Sequence, residues 1–287
     1  MPDCRQPRAA SGYTEIMNPP LIAFVGGGNM ASALIGGLLQ AGHPPAQVLV
    51  VEPFEAQRAK LAQAFGVAPQ AQADATLASA GTVVWAVKPQ LFAEAAAPCA
   101  PFVRGALHLS VMAGIRSGAI VRATGAERVV RAMPNTPALI GQGIAGLFAR
   151  DAVGAAERAA VERLLAPTGQ TLWVAREEDL DAVTALSGSG PAYVFYVLEA
   201  LMQAGVEMGL PEAQSRALAL GTFAGATALA QQSAEPPATL RAQVTSKGGT
   251  THAALTSLEV DGVKAAFVKA LKAAQQRAAE LGDEFGA

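Results

Sequence analysis

The chain has 287 residues, of which 51% are hydrophobic and 15% are charged, with 21 Lys and Arg against 23 Asp and Glu. Globular proteins average about 25% charged residues, so this composition indicates a large apolar interior and argues against disorder. The length suits two domains. A formal net charge of −2 without a basic block makes nucleic acid a poor candidate partner, and we expect a small-molecule substrate.

The two cysteines, Cys4 and Cys99, are far apart and have no His or Cys at metal-ligand spacing. The sequence therefore predicts neither a disulfide nor a metal site, which is typical of a reducing cytoplasm. Residues 16–51 carry no formal charge, but Pro19, Pro20 and several glycines divide this stretch into pieces too short to cross about 30 Å of hydrocarbon. We expect a cytoplasmic protein that does not enter a membrane.

Residues 1–18 show no helical or strand periodicity and are interpreted as a loose extension, with Met17 as an alternative translation start. From 19 to 176, short apolar runs alternate with helical patterns. This alternation is typical of a parallel, doubly wound sheet covered on both faces. The predicted strands are 21–25, 48–51, 83–87, 107–111, 129–133, 138–148 and 171–174, and the predicted helices include 29–41, 54–65 and 152–165.

Residues 177–287 contain no strand pattern and predict an all-α domain. Helix 192–208 is apolar nearly all round, with Glu199 and Glu207 as its formal charges, so we expect it to be buried on several sides. In a domain of this size, so much apolar helix surface indicates a subunit interface and at least a dimer. The predicted helices are 178–186, 192–208, 211–231, 237–244, 250–259 and 263–281.

A glycine-rich segment, residues 26–31, directly follows the first predicted strand and opens a helix, and it matches the dinucleotide fingerprint G-x-G-x-x-A. Gly26 permits the tight turn, Gly28 lets the backbone approach a pyrophosphate, and Ala31 allows close packing of helix and strand. The helix N-terminus adds N–H donors and positive potential. An ordinary flexible turn is the alternative. The candidate cofactor-binding residues in this segment are Val25, Gly26, Gly27, Gly28, Asn29 and Met30.

Three ionisable residues follow later strand ends. Glu52 stands 24 residues beyond Gly28, where a carboxylate would accept hydrogen bonds from an adenosine ribose and favour NADH. Arg58 would instead meet the 2′-phosphate of NADPH, so the sequence leaves both cofactors open. Lys88, in the segment Ala86-Val87-Lys88-Pro89, is placed over the ligand crevice and would face phosphate or ribose oxygens, although a lysine at a strand end is more often simply solvated.

Two further segments lie in the helical region. Residues 187–191, Ser-Gly-Ser-Gly-Pro, allow a close approach of backbone or ligand, but a plain helix corner explains them as well. Residues 246–251 combine two glycines with hydroxyls before a helix, a set of donors suited to a carboxylate, with helix capping as the alternative. No G-x-S-x-G elbow is present. Among the scattered histidines His43, His108 and His252, we expect His108 to be a hydrogen-bonded core residue.

Six ordered segments between about residues 21 and 281 resemble the pyrroline-5-carboxylate reductase family: FVGGGNMASALIGGL, WAVKPQ, SVMAGI, RAMPNTPALIGQG, LDAVTALSGSGPAYVF and VTSKGGTTHAAL. The resemblance implies a Rossmann-type domain followed by a helical domain that intertwines with a second subunit. It also implies hydride transfer from NADPH or NADH to 1-pyrroline-5-carboxylate, which yields L-proline. Such a reaction depends chiefly on aligning two bound molecules.

The same resemblance assigns residues by position. Residues 25–30 and 86–89 would hold the dinucleotide, and Met112 and Ala113 would lie beside the nicotinamide. Thr184 would hydrogen-bond the ring nitrogen. The chain has Glu52 and Pro53 where the family often has serines, and Lys247 where many members have proline. The residues implied for the substrate carboxylate are Ser246, Gly248, Gly249, Thr250 and Thr251.

Two alternatives stay open at this point. A β-hydroxyacid dehydrogenase shares the domain plan but needs a lysine in the helical domain, and no lysine occurs between Gly190 and Ser246. A non-catalytic NAD(P)-binding regulator would bind nucleotide without turnover. The complete VTSKGGTT segment argues against that regulator, because a regulator has no need of a substrate site.

Overall fold

A seven-stranded sheet forms the first part of the chain in the computed structural model, which describes residues 20–286. The predicted extension 1–18, with Cys4 and Met17, lies outside the described residues. The strands stand in the order β2-β1-β3-β4-β5-β6-β7. Their bounds are β1 Ile22–Val25, β2 Val48–Val51, β3 Thr82–Trp85, β4 Leu107–Ser110, β5 Val129–Met133, β6 Gly143–Ala149 and β7 Gly169–Trp173.

One ladder departs from the predicted parallel sheet, because β5 and β6 pair antiparallel. Nine residues, 134–142, separate these strands, and a parallel neighbour needs a crossover of about a dozen residues or more. Thr136–Ile140 in this connection forms a 3-10 helix with Pro137 in its first turn. The predicted strand 138–148 was therefore wrong at its start, which lies at Gly143.

Both faces of the sheet are buried, as predicted from its continuous apolar strands. Ile22 and Phe24 point into one hydrophobic cluster, whereas Ala23 and Val25 point into the other. This alternation follows from the two-residue period of a strand, and it explains why all four residues of β1 are apolar. The helices that cover the sheet are α1 Asn29–Gln40, α2 Glu55–Phe65, α3 Phe92–Val103, α4 Ser117–Thr124 and α5 Ala155–Leu165.

The rest of the described chain is helical, as predicted, with a change at Thr184–Gly188. The α-helix predicted at 178–186 ends earlier, at Val183, and a π-helical turn follows it. In this turn the Ser189 N–H donates to the Thr184 carbonyl oxygen at 2.8 Å. Pro191 lacks an N–H and cannot continue the earlier ladder. The helices are α6 Asp179–Val183, α7 Gly190–Glu207, α8 Glu212–Gln232, α9 Pro237–Gln243, α10 Thr250–Val260 and α11 Val263–Gly286.

Helix α7 is less covered than the sequence predicts. Phe195 and Tyr196 are 58% and 73% exposed in the single chain, while Leu198 is buried. Leu218 and Leu229 on α8 are also exposed. These apolar side chains face outward in the single chain, so the predicted burial on several sides is not reached within one subunit and stays tied to the predicted subunit interface. Among residues 20–286, no helix is long and apolar enough to cross a bilayer.

Candidate functional site

The glycine-rich turn lies where the strand order reverses. Strand β2 pairs with one side of β1 and β3 with the other, and open α/β sheets bind ligands at the carboxyl ends of strands at such a point. Gly26 has φ +95°, and a Cβ there would lie 2.7 Å from the carbonyl oxygen of Ala86. Glycine is therefore required where the turn passes the predicted segment 86–89.

The next two glycines differ from each other. A Cβ on buried Gly27 would lie 2.5 Å from Leu61 Cδ1, so this glycine serves the packing of α2. Gly28 is exposed and has an ordinary φ of −68°, and a Cβ at this position would have no neighbouring atom within 4 Å. It is the N-cap of α1 and offers no side chain to the first-turn N–H groups of Asn29 and Met30. This open cradle of N–H donors fits the pyrophosphate of a dinucleotide.

Glu52 is 6% exposed, and its carboxylate holds the cradle together. Its Oε2 accepts the Gly27 N–H at 2.8 Å, and its Oε1 accepts the Phe54 N–H at 2.9 Å. Each carboxylate oxygen keeps a further lone pair with which it can accept a ribose hydroxyl. Arg58 Nη1 donates to the carbonyl oxygens of Glu52 and Pro53 at 2.9 and 2.7 Å, so this arginine is anchored to the turn that follows β2.

The remaining predicted cofactor residues follow β3 and β4, which are parallel neighbours. Lys88 is exposed, while Val87 and Pro89 are half-buried. Met112 is 3% exposed and donates its N–H to Ser110 Oγ at 3.3 Å. Because adjacent parallel strands end at the same edge, these residues share the edge that carries the glycine turn.

Thr184 is the first residue of the π-helical turn and is half-buried. Its hydroxyl donates to the Leu180 carbonyl oxygen at 2.7 Å. Since the hydroxyl proton is used there, the oxygen is left as an acceptor for another N–H group.

The segment 187–191 is more than a helix corner. A Cβ on Gly188 would lie 2.6 Å from Met133 Cε, and Asn135 Nδ2 donates to the Ser187 carbonyl oxygen at 3.2 Å. Asn135 Oδ1 also accepts the Ile144 N–H at 3.0 Å. The glycine therefore allows the π-helical turn to approach the end of β5 closely.

The predicted carboxylate loop, 246–251, is largely exposed. Gly248 has φ +77°, and Gly249 N–H donates to the Ser246 carbonyl oxygen at 3.0 Å. Gly249 is the N-cap of α10 and has no side-chain cap, so the Thr250 and Thr251 N–H groups are not capped from the loop. The alternative that the hydroxyls serve only as a helix cap does not describe this geometry.

His108 is the core residue that the sequence predicts. Its Nδ1 accepts the Trp85 Nε1–H at 2.9 Å, and its Nε2–H donates to the Val103 carbonyl oxygen at 2.9 Å. Burial lowers the pKa of His108, so the neutral ring is favoured. Burial also raises the pKa of the Cys99 thiol to about 11, which makes this cysteine a poor nucleophile.

Comparison with known proteins agrees with this arrangement. Residues 177–281 match a family model described as pyrroline-5-carboxylate reductase dimerisation, and residues 21–114 match one described as NADP oxidoreductase, coenzyme F420-dependent. The pyrroline-5-carboxylate reductase of Pseudomonas aeruginosa is 43% identical over 94% of this chain and 100% of its own length. The chain belongs to the pyrroline-5-carboxylate reductase family. The reductase of Haemophilus influenzae is 40% identical, over 92% of this chain and 98% of its own.

Solved structures of family members share the fold over nearly the whole chain. A pyrroline-5-carboxylate reductase from Coxiella burnetii has a TM-score of 0.85 and 34% identity, covering 92% of this chain and 99% of its own. The Plasmodium falciparum pyrroline carboxylate reductase with NADP bound has a TM-score of 0.82 and 28% identity, covering 91% and 97%. The predicted fold class, a Rossmann-type sheet domain with a helical dimerisation domain, is confirmed.

Sequence reasoning missed one cluster of ionisable residues beside this site. Glu177 and Asp181, at the start of the helical region, form ion pairs with Arg131 and Arg116 of the sheet region. Arg131 was the available signal, because it stands inside the apolar strand β5 and is 4% exposed. An arginine so deeply buried requires an acidic partner.

Proposed function

We propose that this chain reduces 1-pyrroline-5-carboxylate to L-proline, with NADPH or NADH as the reductant. The observation that supports this most is the open, uncapped Gly28 cradle in a chain that matches curated pyrroline-5-carboxylate reductases over nearly its full length. A cytoplasmic location and the absence of a nucleic-acid partner belong to the same proposal.

The dinucleotide would be held by the sheet region, residues 19–176 in the proposed domain division. Backbone N–H groups of residues 28–30 would bind the pyrophosphate, and Glu52 would accept the ribose hydroxyls. Residues 86–89, with Met112 and Ala113, would line the course of the cofactor towards the nicotinamide. When bound, the reduced nicotinamide supplies the hydride for the imine carbon.

The substrate would be held by the helical region, residues 177–287. Thr184 would accept a hydrogen bond from the ring N–H of the protonated imine, because its own hydroxyl proton is donated to Leu180. A protonated imine is already electrophilic, so Thr184 orients the ring and no separate acid is needed at this position. The substrate carboxylate would accept hydrogen bonds from Ser246, Thr250 and Thr251 and from N–H groups that follow Gly248 and Gly249.

Self-association agrees with the match to the dimerisation family model. We propose a homodimer as the smallest assembly, in which the exposed apolar side chains of α7 and α8 meet a second subunit. Phe195, Tyr196, Leu218 and Leu229 would then leave water, at about 25 cal/mol per Å² of apolar surface. Light scattering at micromolar concentration should show at least a dimer, and a stable monomer would contradict this part of the proposal.

The function is tested by following NADH and NADPH oxidation with 1-pyrroline-5-carboxylate and by measuring proline as it forms. We expect substrate-dependent oxidation with one proline formed per nucleotide oxidised. Folded, dimeric protein that binds nucleotide but turns over neither cofactor would reject the reductase function and favour a regulator. A 3-hydroxy acid with NAD(P) serves as the comparison substrate for a dehydrogenase.

A further inference from the structure

An ionic cluster joins the loop after β4 to the start of α6. Arg116 Nη2 donates to Asp181 Oδ2 at 2.8 Å. Glu177 accepts three hydrogen bonds, from Ser117 N–H at 2.5 Å, from Ser117 Oγ–H at 2.6 Å and from Arg131 Nη1 at 2.9 Å. These contacts bridge 46 to 65 positions of sequence and cross from the sheet region to the helical region.

The same loop also packs on α11. Gly114 has φ +75°, and a Cβ there would lie 3.2 Å from Phe285 Cδ2 and 3.3 Å from Leu281 Cβ. A Cβ on Gly282 would lie 2.5 Å from Arg116 Nη2, so the guanidinium lies directly against that helix. The loop between β4 and α4 is thus held between α6 and α11.

Stability alone does not account for this cluster. Buried ion pairs add little net stability, since the cost of removing the charges from water offsets their attraction. Within residues 20–286, the buried nitrogens Arg116 Nη1 and Arg131 Nε have no hydrogen-bond partner. Burial opposes the charge of Glu177, but the Ser117 and Arg131 hydrogen bonds outweigh it and lower the pKa of Glu177, so this carboxylate stays ionised near neutral pH.

The position of the cluster suggests its use. Arg116 lies three residues after Ala113, which is assigned to the nicotinamide wall, and Asp181 lies three residues before Thr184, which is assigned to the ring nitrogen. The Arg116–Asp181 ion pair is therefore a short bridge between the two walls of the reaction site. The end of α6, directly before the π-helical segment, also packs on the sheet, because a Cβ on Gly146 would lie 2.7 Å from Val183 Cγ1.

We propose that Asp181 and Glu177 are positioning residues, which set the distance between the nicotinamide wall at Met112 and Ala113 and the substrate-orienting Thr184. This inference rests on the proposed reductase function. Hydride transfer is sensitive to the separation of the two reacting carbons, and a misplacement of about 1 Å can cost about 100-fold in rate. Neither carboxylate needs to touch substrate or cofactor for this effect.

The test compares Asp181→Asn with Asp179→Asn. Asp179 is a matched control, because it lies on the same helix and pairs with Arg176 at 2.6 Å in an exposed ion pair within that segment. Each variant is assayed for the nucleotide dissociation constant, for kcat and KM, and for the primary deuterium isotope effect with nicotinamide labelled at the transferred position. Glu177→Gln is the second test variant if Asp181→Asn folds poorly.

For Asp181→Asn we expect kcat to fall about 10- to 100-fold with a larger isotope effect, since misalignment makes hydride transfer rate-limiting. The nucleotide dissociation constant should stay within about twofold, because the cradle lies at the other end of the cofactor. Asp179→Asn should resemble the wild type in every measurement. A purely structural role would lower the unfolding midpoint and leave kcat and the isotope effect of the folded enzyme unchanged, and this result would overturn the proposal.

Hydrogen exchange of residues 179–190 separates failure of this inference from failure of the proposed function. Faster exchange in Asp181→Asn than in Asp179→Asn is expected, because the segment loses its bridge to the sheet. If the wild type does not reduce the imine, the reductase function is rejected, and the positioning role is rejected with it even though the exchange result stands. If the wild type is active and exchange and kcat are unchanged, only the positioning role is rejected.

Discussion

Replacement of Gly28 by valine separates the needs of the fold from the needs of the ligand. The backbone at Gly28, with φ −68° and ψ −169°, is extended and open to any residue, and its Cβ would meet nothing within 4 Å. At Gly26, in contrast, a Cβ would meet the Ala86 carbonyl oxygen at 2.7 Å and φ is +95°. Gly28→Val should therefore fold, whereas a side chain on Gly26 should not be tolerated.

The expected magnitudes differ for stability and for binding. Valine is a poor N-cap, so Gly28→Val should lower the free energy of unfolding by about 1 kcal/mol. A hydrogen bond to a charged group is worth about 1.5–3 kcal/mol, and the isopropyl group would block at least one such bond from the cradle to a phosphate. At about 1.4 kcal/mol per tenfold, the dinucleotide dissociation constant should rise about 10- to 100-fold.

Gly154→Val is the matched control. Gly154 is the N-cap of α5, has φ −75° and ψ 168°, and would also give a Cβ with nothing within 4 Å. Both variants are measured by chemical denaturation and by fluorescence titration with NADH and NADPH. If both variants lose the same stability and only Gly28→Val loses affinity for the nucleotide, the assignment of the Gly28 cradle to the pyrophosphate is supported. Unchanged affinity of Gly28→Val would refute it.

Three further predictions concern other groups. Thr251→Ala should weaken binding of proline or another ring carboxylate by about 1–2 kcal/mol. Gly249→Val should weaken that binding more, because its Cβ would lie 2.6 Å from Ser246 Oγ. If these variants instead weaken nucleotide binding and leave binding of the carboxylate ligand intact, the loop has been assigned to the wrong ligand. Glu52→Gln should raise the kcat/KM ratio of NADPH over NADH by about tenfold, because a charge that repels the 2′-phosphate is lost, and Glu55→Gln, an exposed neighbour, should leave the ratio unchanged. The free energy of unfolding should fall as pH drops below about 6.5, because the lowered pKa of His108 means that the unfolded chain binds the proton first. Chemical denaturation between pH 5 and 8 should show that the free energy of unfolding depends less steeply on pH in His108→Phe than in the wild type. An unaltered pH dependence would contradict the assignment of His108 as a buried, neutral residue.

The sequence predicts well those features that depend on neighbouring residues. The apolar run of β1, the glycine turn after it and the helix limits set by Pro237 and Gly249 all follow from local pattern, and each lies within a residue or two of its predicted place. The antiparallel direction of β6 was missed, although the short 134–142 connection carried the signal. The π-helical turn at Thr184–Gly188 was missed, because the close packing of Gly188 on Met133 joins residues more than 50 positions apart and leaves no local pattern in the sequence.

The sequence pattern predicts the roles of two of the three fingerprint glycines. The tight turn at Gly26 and the open backbone at Gly28 follow from the pattern, but the middle glycine has no assigned task in it. In the structure Gly27 is limited by Leu61, and its N–H is bound by Glu52. Glu52 therefore shapes the cradle as well as carrying a charge towards the expected ribose. A variant such as Glu52→Ala would lose both backbone hydrogen bonds together with the charge. Glu52→Gln keeps the side-chain volume and one carbonyl acceptor, loses the hydrogen bond to either Gly27 N–H or Phe54 N–H, and therefore removes the charge with the smaller change in shape.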